Sequence, residues 1–349
     1  MGLEFAEHVL QNQEKEFAWM DHSLIEQRMS RMRIDPHVHF RDEEQAYKET
    51  IAHGLKTAKE QGVDIVFAMP NTFRPVINEQ RVKERVALVP KGEENRYYTY
   101  IGATKDETQL KEAAELVKTN PHVCGIKMFA GKSVGNLEIL LEEDQKKVYS
   151  ILANANYTGV LAVHCEKESL MKGNFDCNQP FTHCLVRPEN SEIESVRDQI
   201  KFATETNFKG TLHICHVSCK ETVELVNEAK QNGKIKITCG VTPHHLLWDC
   251  EKMKEPLGLL YKMNPPLRPE YDMISLRESL KQGKIDWIET DHAPHTIGEK
   301  LHAGYLSGYP SLYLYKELIE KHLPEWGIST EQIENLTYKN IVKTFELKL

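Results

Sequence analysis

The sequence predicts a (β/α)8 barrel, on two observations. Eight short β-rich runs alternate with longer stretches whose apolar residues recur at helical spacing. Imidazoles and carboxylates gather at the ends of those runs, where a barrel of this kind places its chemistry. The runs are MRIDPHV (32–38), DIVFAMP (64–70), YYTYIG (97–102), VCGIKMFA (123–130), GVLAVHC (159–165), TLHICHV (211–217), KIKITCG (234–240) and IDWIET (285–290). Strand followed by helix implies parallel strands joined by crossovers, and eight repeats point to closure as a TIM-type barrel rather than an open sheet.

Helix-like segments fill the intervals at 43–61, 106–119, 142–156, 191–207 and 218–232. The last carries ETVELVNEAKQNG, apolar at helical spacing, with Gly233 as its stop signal. Residues 172–190, KGNFDCNQPFTHCLVRPEN, read as a long loop on the face where long loops are often functional. Residues 1–33 are polar and charged, with Phe5, Val9, Leu10, Phe17 and Met20 at helix-like spacing. The expected organisation is a helical N-terminal extension over 1–33 and one barrel over 34–349.

A length of 349 residues suits a single barrel, and 40% hydrophobic with 28% charged residues is an ordinary globular mixture. The net charge of −8 argues against nucleic acid as a partner. No apolar run is long enough to cross a bilayer, and the N-terminus lacks the basic-then-apolar layout of a signal peptide. The eight cysteines form no Cys-x-x-Cys pair, and several lie inside apolar runs. Reduced, buried thiols and a cytoplasmic location are expected.

His37 and His39 end the first run. Side chains two apart on a strand share a face, so both imidazoles can grip one metal ion at the barrel rim. His164 ends the fifth run, His216 the sixth, and Asp291 follows the eighth. Lys127 lies within the apolar fourth run, where an ammonium is costly unless neutralised or paired. Carbamylation by carbon dioxide would make it an anion able to bridge two metals. His213 and His216, three apart, cannot share a face on a regular strand; His216 is nearer the rim, and His213 is expected to be structural. His244 and His245 follow the seventh run on the same side, with either a direct or a hydrogen-bonding role open.

The motifs DPHVHFRD, AMPNT, GIKMF, VHCE, HICHVS, PHHL, NPPLR and TDHAPH resemble, in order, those of dihydroorotases in the amidohydrolase superfamily. The match spans roughly residues 33–300. GIKMF, HICHVS and DHAPHTIGEK look most like the dihydroorotase domain of the animal multifunctional pyrimidine enzyme. The resemblance implies two zinc ions, the first held by His37, His39 and Asp291 and the second by His164 and His216, bridged by carbamylated Lys127 and a hydroxide. It implies that Arg41, Asn71 and His295 contact the substrate, that Asn264 lines the same pocket, and that Asp291 shuttles the proton. The implied reaction interconverts N-carbamoyl-L-aspartate and L-dihydroorotate in de novo pyrimidine biosynthesis. Arg41 offers a planar fork suited to the substrate carboxylate. A homodimer is the default expectation, with aspartate transcarbamoylase as a candidate partner.

Four features depart from that family. Many relatives flank the barrel with a β-sandwich; here a barrel without it is expected. Glu43-Glu44 replaces a usual Pro-Gly, and Pro310-Ser311-Leu312-Tyr313 replaces a usual Gly-Leu-Glu-Thr near the substrate pocket. Gly240 also stands where an acidic residue is frequent. Two competing readings therefore stand beside the first. One is a hydantoinase, dihydropyrimidinase or allantoinase type of hydrolase. The other is a non-catalytic barrel that supports a pyrimidine-pathway partner.

Overall fold

A computed structural model describes residues 32–132, 136–302 and 304–348. Eight strands, β1 (Ile34–Val38), β2 (Ile65–Ala68), β3 (Tyr97–Gly102), β4 (Val123–Ala130), β5 (Val160–Cys165), β6 (Thr211–Ile214), β7 (Lys236–Val241) and β8 (Trp287–Ile288), pair in chain order, each parallel to the next. Just past β8 the ring closes on β1: His39 N donates to His292 O at 2.7 Å, and Val38 bridges His292. Beside this junction Asp35 accepts from Thr290 N at 3.0 Å and from Thr290 Oγ1 at 2.5 Å. This is the (β/α)8 barrel that the alternating runs predict. Among the described residues every named strand belongs to it.

The crossovers are helices α1 (Ile51–Glu60), α2 (Glu79–Val86), α3 (Glu107–Thr119), α4 (Glu142–Asn154), α5 (Glu189–Glu205), α6 (Lys220–Asn232) and α7 (Glu270–Lys281). Their starts are set locally. The side chains of Thr50, Asn78 and Asp106 accept the backbone N–H of His53, Arg81 and Gln109, satisfying donors that the first turn leaves unpaired. Gly233 ends α6 at φ 63°, a left-handed position that costs a glycine little. Alternation along the strands splits the core in two. Val66, Ile126, Met128, Leu212 and Ile214 face the helices. Ile34, Phe67, Tyr100, Cys124 and Trp287 fill the barrel's lower interior. A last helix, α8 (Asn340–Phe345), stoppers that end, with the Phe345 ring 4.9 Å from Phe67 and 5.8 Å from Trp287.

Two sequence expectations change, and a third falls mostly outside the described residues. Residues 43–61 are not one helix: a 3-10 turn at Glu43–Gln45 precedes α1. Asp42, at φ 70°, accepts from Glu43 N and Ile51 N and folds the chain back on itself before the helix starts. Residues 172–190 contain a short helix, Thr182–Val186, and α5 starts at Glu189. Phe181 and Cys184 pack against Met263, Leu267 and Cys250, which orders this segment. The expected helical extension over 1–33 lies outside the described residues except Met32 and Arg33, which lead into β1 without helix. All eight cysteines are unpaired, and six are buried.

Asp272, in the first turn of α7, accepts from Lys220 N at 2.9 Å and ties α7 to α6. Burial pushes its carboxyl up to about 6. The stability it contributes is present below about pH 4 and lost as pH rises through about 6. Asp272→Asn removes that titration. The Tm of the variant relative to the parent should therefore rise between about pH 5 and about pH 7, read by thermal melts across that range; a constant offset contradicts this role.

Candidate metal centre and substrate pocket

Local irregularity decides which side chains reach the cavity. On β1 the pairing shifts register between Asp35 and Val38. His37 thereby joins Ile34 on the inner side although the two are three apart. The same happens on β4. Thr99 pairs Val123 but Tyr100 pairs Gly125, so the extra residue, Cys124, brings Lys127 onto the inner side with it. On β6 the chain does it by backbone twist. Leu212 and Ile214 face outward, and simple alternation would send His216 outward too. Its φ of 39° turns it inward instead. The expectation that residues 213 and 216 face opposite ways rests on a regular strand, and β6 ends at Ile214.

All six side chains nominated from the sequence as metal ligands line one cavity at the C-terminal rim, with Arg41, Asn71 and Asn264. Asp291 Oδ1 lies 2.9 Å from His39 Nε2 and 3.2 Å from His37 Nε2. Donor atoms of these three residues fall within 4.8 Å of one another. His164 Nδ1 lies 3.1 Å from His216 Nε2. Lys127 is fully buried, its Nζ 3.0 Å from Cys215 Sγ and 5.1 Å from the Phe129 ring centre. Among the described residues no carboxylate pairs with it. His216 Nδ1 and Asn264 Oδ1 are buried without a hydrogen-bond partner.

The electrostatics follow from burial and pairing. Burial opposes ionisation of Asp291, but hydrogen bonds from His37 and His39 hold its carboxyl well below the usual range. Burial drops His39 to about 4, and burial with the neighbouring His164 takes His216 well below its ordinary value. Both rings are therefore neutral at pH 7, the form that offers a lone pair to a cation. Against its own burial, the Lys127 ammonium draws the Cys215 thiol down to about 5.

The substrate-side residues are arranged less simply. Arg41 donates from Nε to Pro294 O at 3.2 Å, and His295 Nε2 sits 3.3 Å from its guanidinium. His295 itself stands behind Arg41, 3.0 Å from Ser307 O and 3.2 Å from Lys48 Nζ, and does not line the cavity. Asn71 turns Oδ1 toward His39 Nδ1 at 2.8 Å. If Asn71 accepts from Nδ1–H, Nε2 would be the atom left to ligate a cation, in place of its hydrogen bond to Asp291. His245 is held by Thr242 Oγ1 and Pro265 O, whereas neither buried nitrogen of His244 has a partner. His213 sits between Thr238 Oγ1 and Glu289, at 3.1 and 3.0 Å.

Sequence reasoning passed over several buried groups here. Glu289 lies between the site histidines, and His37, Cys215 and Glu289 form a second cluster of donors. Glu166, beside His164, pairs with Arg187 through Nε at 3.0 Å and through a second, shorter bond from the other nitrogen. Arg268 donates to Ser218 Oγ and Arg187 O, while Glu192 accepts from Ser218 N. The signal that marks such groups is a charged residue next to a rim histidine or inside an apolar run, as in VHCE and WIET.

No family model matches the chain. Among curated proteins it is similar to the dihydroorotase of Fusobacterium nucleatum, 32% identical over 323 residues that cover 90% of this chain and 72% of that one. Among solved structures it is similar to the L-hydantoinase (dihydropyrimidinase) of Arthrobacter aurescens, with a TM-score of 0.76 and 20% identity over 90% of this chain and 70% of that one. The dihydroorotase of Saccharomyces cerevisiae, solved with 5-fluoroorotic acid, aligns with a TM-score of 0.72 and 18% identity over 91% of this chain and 85% of that one.

The Glu166–Arg187 pair is buried, so removing one partner strands the other charge in a low dielectric. Arg187→Leu should lower the unfolding free energy by about 3–5 kcal/mol, measured by denaturant titration. A loss below about 1 kcal/mol would match an exposed pair and contradict this account.

Proposed function

Because this chain belongs to the dihydroorotase family, we propose that it acts as a dihydroorotase, closing N-carbamoyl-L-aspartate to L-dihydroorotate and reopening it in pyrimidine biosynthesis. One observation carries the reading to residues: four imidazoles, Asp291 and a buried lysine that no carboxylate among the described residues meets line a single cavity with Arg41 at its edge.

The donor set fits a pair of divalent cations. His37, His39 and Asp291 would hold one, and His164 and His216 the other; zinc suits such imidazole and carboxylate ligands. The Lys127 ammonium has the buried Cys215 sulfur as its partner and, among the described residues, no carboxylate, an ion pair that is costly to keep desolvated. Carbamylation would turn Lys127 into the anion that completes the set. Bound cations supply Lewis acidity toward the amide carbonyl and make water nucleophilic at neutral pH. The protein's own groups then have distinct tasks. Asp291, kept ionised by His37 and His39, accepts the proton of the attacking water and passes it to the departing ring nitrogen. Arg41 offers its remaining N–H groups to the substrate carboxylate, in a slot walled by Asn71 and Asn264. His295, itself in contact with Lys48, stands against the guanidinium's far side. The unpaired thiols support a reducing, cytoplasmic compartment.

Metal-replete protein should interconvert the two substrates in both directions, and removing metal with a chelator should abolish turnover until zinc is returned. Turnover that survives complete metal removal, or none in a protein loaded with zinc, defeats the assignment. Arg41→Ala should raise KM for dihydroorotate about 10- to 100-fold, the scale of a lost charge-assisted hydrogen bond, with a smaller change in kcat. An unchanged KM takes the carboxylate away from Arg41.

A further inference from the structure

Glu289 is a buried carboxylate that the reaction above does not use. It follows β8 by one residue, is 1% exposed, and spreads its two oxygens over three elements. Oε1 accepts from His216 N at 2.5 Å and lies 3.6 Å from His37 Nδ1. Oε2 sits 3.0 Å from His213 Nε2 and accepts from Trp287 Nε1 at 2.9 Å. The His213 and Trp287 rings are 4.3 Å apart and support one side of this arrangement.

The room for Glu289 comes from a missing side chain on the neighbouring strand. Gly240 on β7 pairs Trp287 on β8. A Cβ at 240 would lie 2.5 Å from the Glu289 carboxyl carbon and 2.6 and 2.9 Å from its oxygens. Any side chain there must displace the carboxylate. A glutamate at 240 would also carry its carboxyl carbon two bonds beyond Cβ, into the space that Glu289 fills.

The consequence falls on His216. Alternation along β6 would turn this imidazole toward the helices, and only its left-handed backbone directs it into the cavity. Its N–H is the group that Oε1 holds. We propose that Glu289, reaching from β8 into the space Gly240 leaves on β7, is a positioning residue that fixes the backbone of His216 and so aims its imidazole into the candidate metal centre. His37 Nδ1 lies 3.6 Å from the same oxygen, beyond hydrogen-bond distance, so the hold on this second ligand is electrostatic only. The inference rests on the metal-centre reading and deepens it.

The test compares the zinc-loaded parent with Glu289→Ala, Gly240→Glu and the double variant. Zinc affinity is read by competition with a chromogenic chelator, independently of turnover. Glu289→Ala should weaken zinc binding about 10- to 100-fold, as loss of a group that orients ligands does. It should lower kcat while KM stays within about twofold, because Arg41 and Asn71 are untouched. Gly240→Glu alone should also weaken binding, since two carboxyl groups cannot share the space. The double variant should regain most of the affinity and of kcat, and it carries the test if Glu289→Ala does not fold. Glu289→Ala with parental affinity and kcat overturns the proposal, as does a folded double variant that binds zinc no better than the alanine variant. A parent that holds no zinc would overturn the metal-centre reading first and this inference with it.

Discussion

The junction between β8 and β1 is the constraint on which the rest depends. His37 and His39 arrive from the first strand and Asp291 from just beyond the last, with more than 250 residues of chain between them. Only closure of the ring makes them neighbours. That closure rests on few groups: His39 N to His292 O, and the Asp35 carboxylate bonded twice to Thr290. β8 has only two residues in regular pairing, so side chains take over where the ladder stops. His292 extends the tie outward, its ring reaching Glu49 at 3.0 Å, just ahead of α1. A short last strand thus leaves the following residues free to turn Asp291 inward at φ 49° while the ring stays shut.

The rim beyond β5 and β6 holds more charge than a hydrophobic core would. Glu166–Arg187 and Glu192–Arg268 are buried pairs whose remaining hydrogen-bonding groups go to backbone carbonyls and to Ser218. Such pairs seldom add net stability over apolar packing. What they do here is fix loops. Arg187 and Arg268 join the segment before α5 to the turn after β6 and to the segment leading into α7, all on the rim that carries His164 and His216. The rim therefore behaves as a rigid frame for the imidazoles, and the desolvation penalty is tolerated because each charge is met.

Much of this was legible in the sequence, and the reason is periodicity. Runs such as YYTYIG and VCGIKMFA match β3 and β4 residue for residue, because a strand buried on both faces is largely apolar, with Lys127 the exception that marks the site. The rim residues were legible because a polar group at the end of an apolar run is costly to bury unless something pairs with it or binds it. What could not be read is what breaks the period. Neither the register shift on β1 nor the extra residue in β4 leaves a mark in composition, yet each decides that a site residue faces inward. His295 was legible as a rim histidine, but not as a residue standing behind Arg41, since that depends on how Ser307 and Gly308 pass over it. The helix read across 43–61 failed because Asp42 outcompetes it locally.

His216 shows the same limit in energetic terms. A left-handed backbone costs a residue with a Cβ about 1–2 kcal/mol, so an isolated strand end would not hold it. A hydrogen bond to a buried carboxylate contributes about 1.5–3 kcal/mol, enough to reverse the balance, and Glu289 supplies one from 73 residues further along the chain. The conformation of one rim histidine is thus set by an acid two strands away, and that acid fits only because the strand between them carries glycine. Motifs alone assign His216 its place by proximity to the strand end. The cause lies in three residues on three strands, none of which specifies the geometry without the other two.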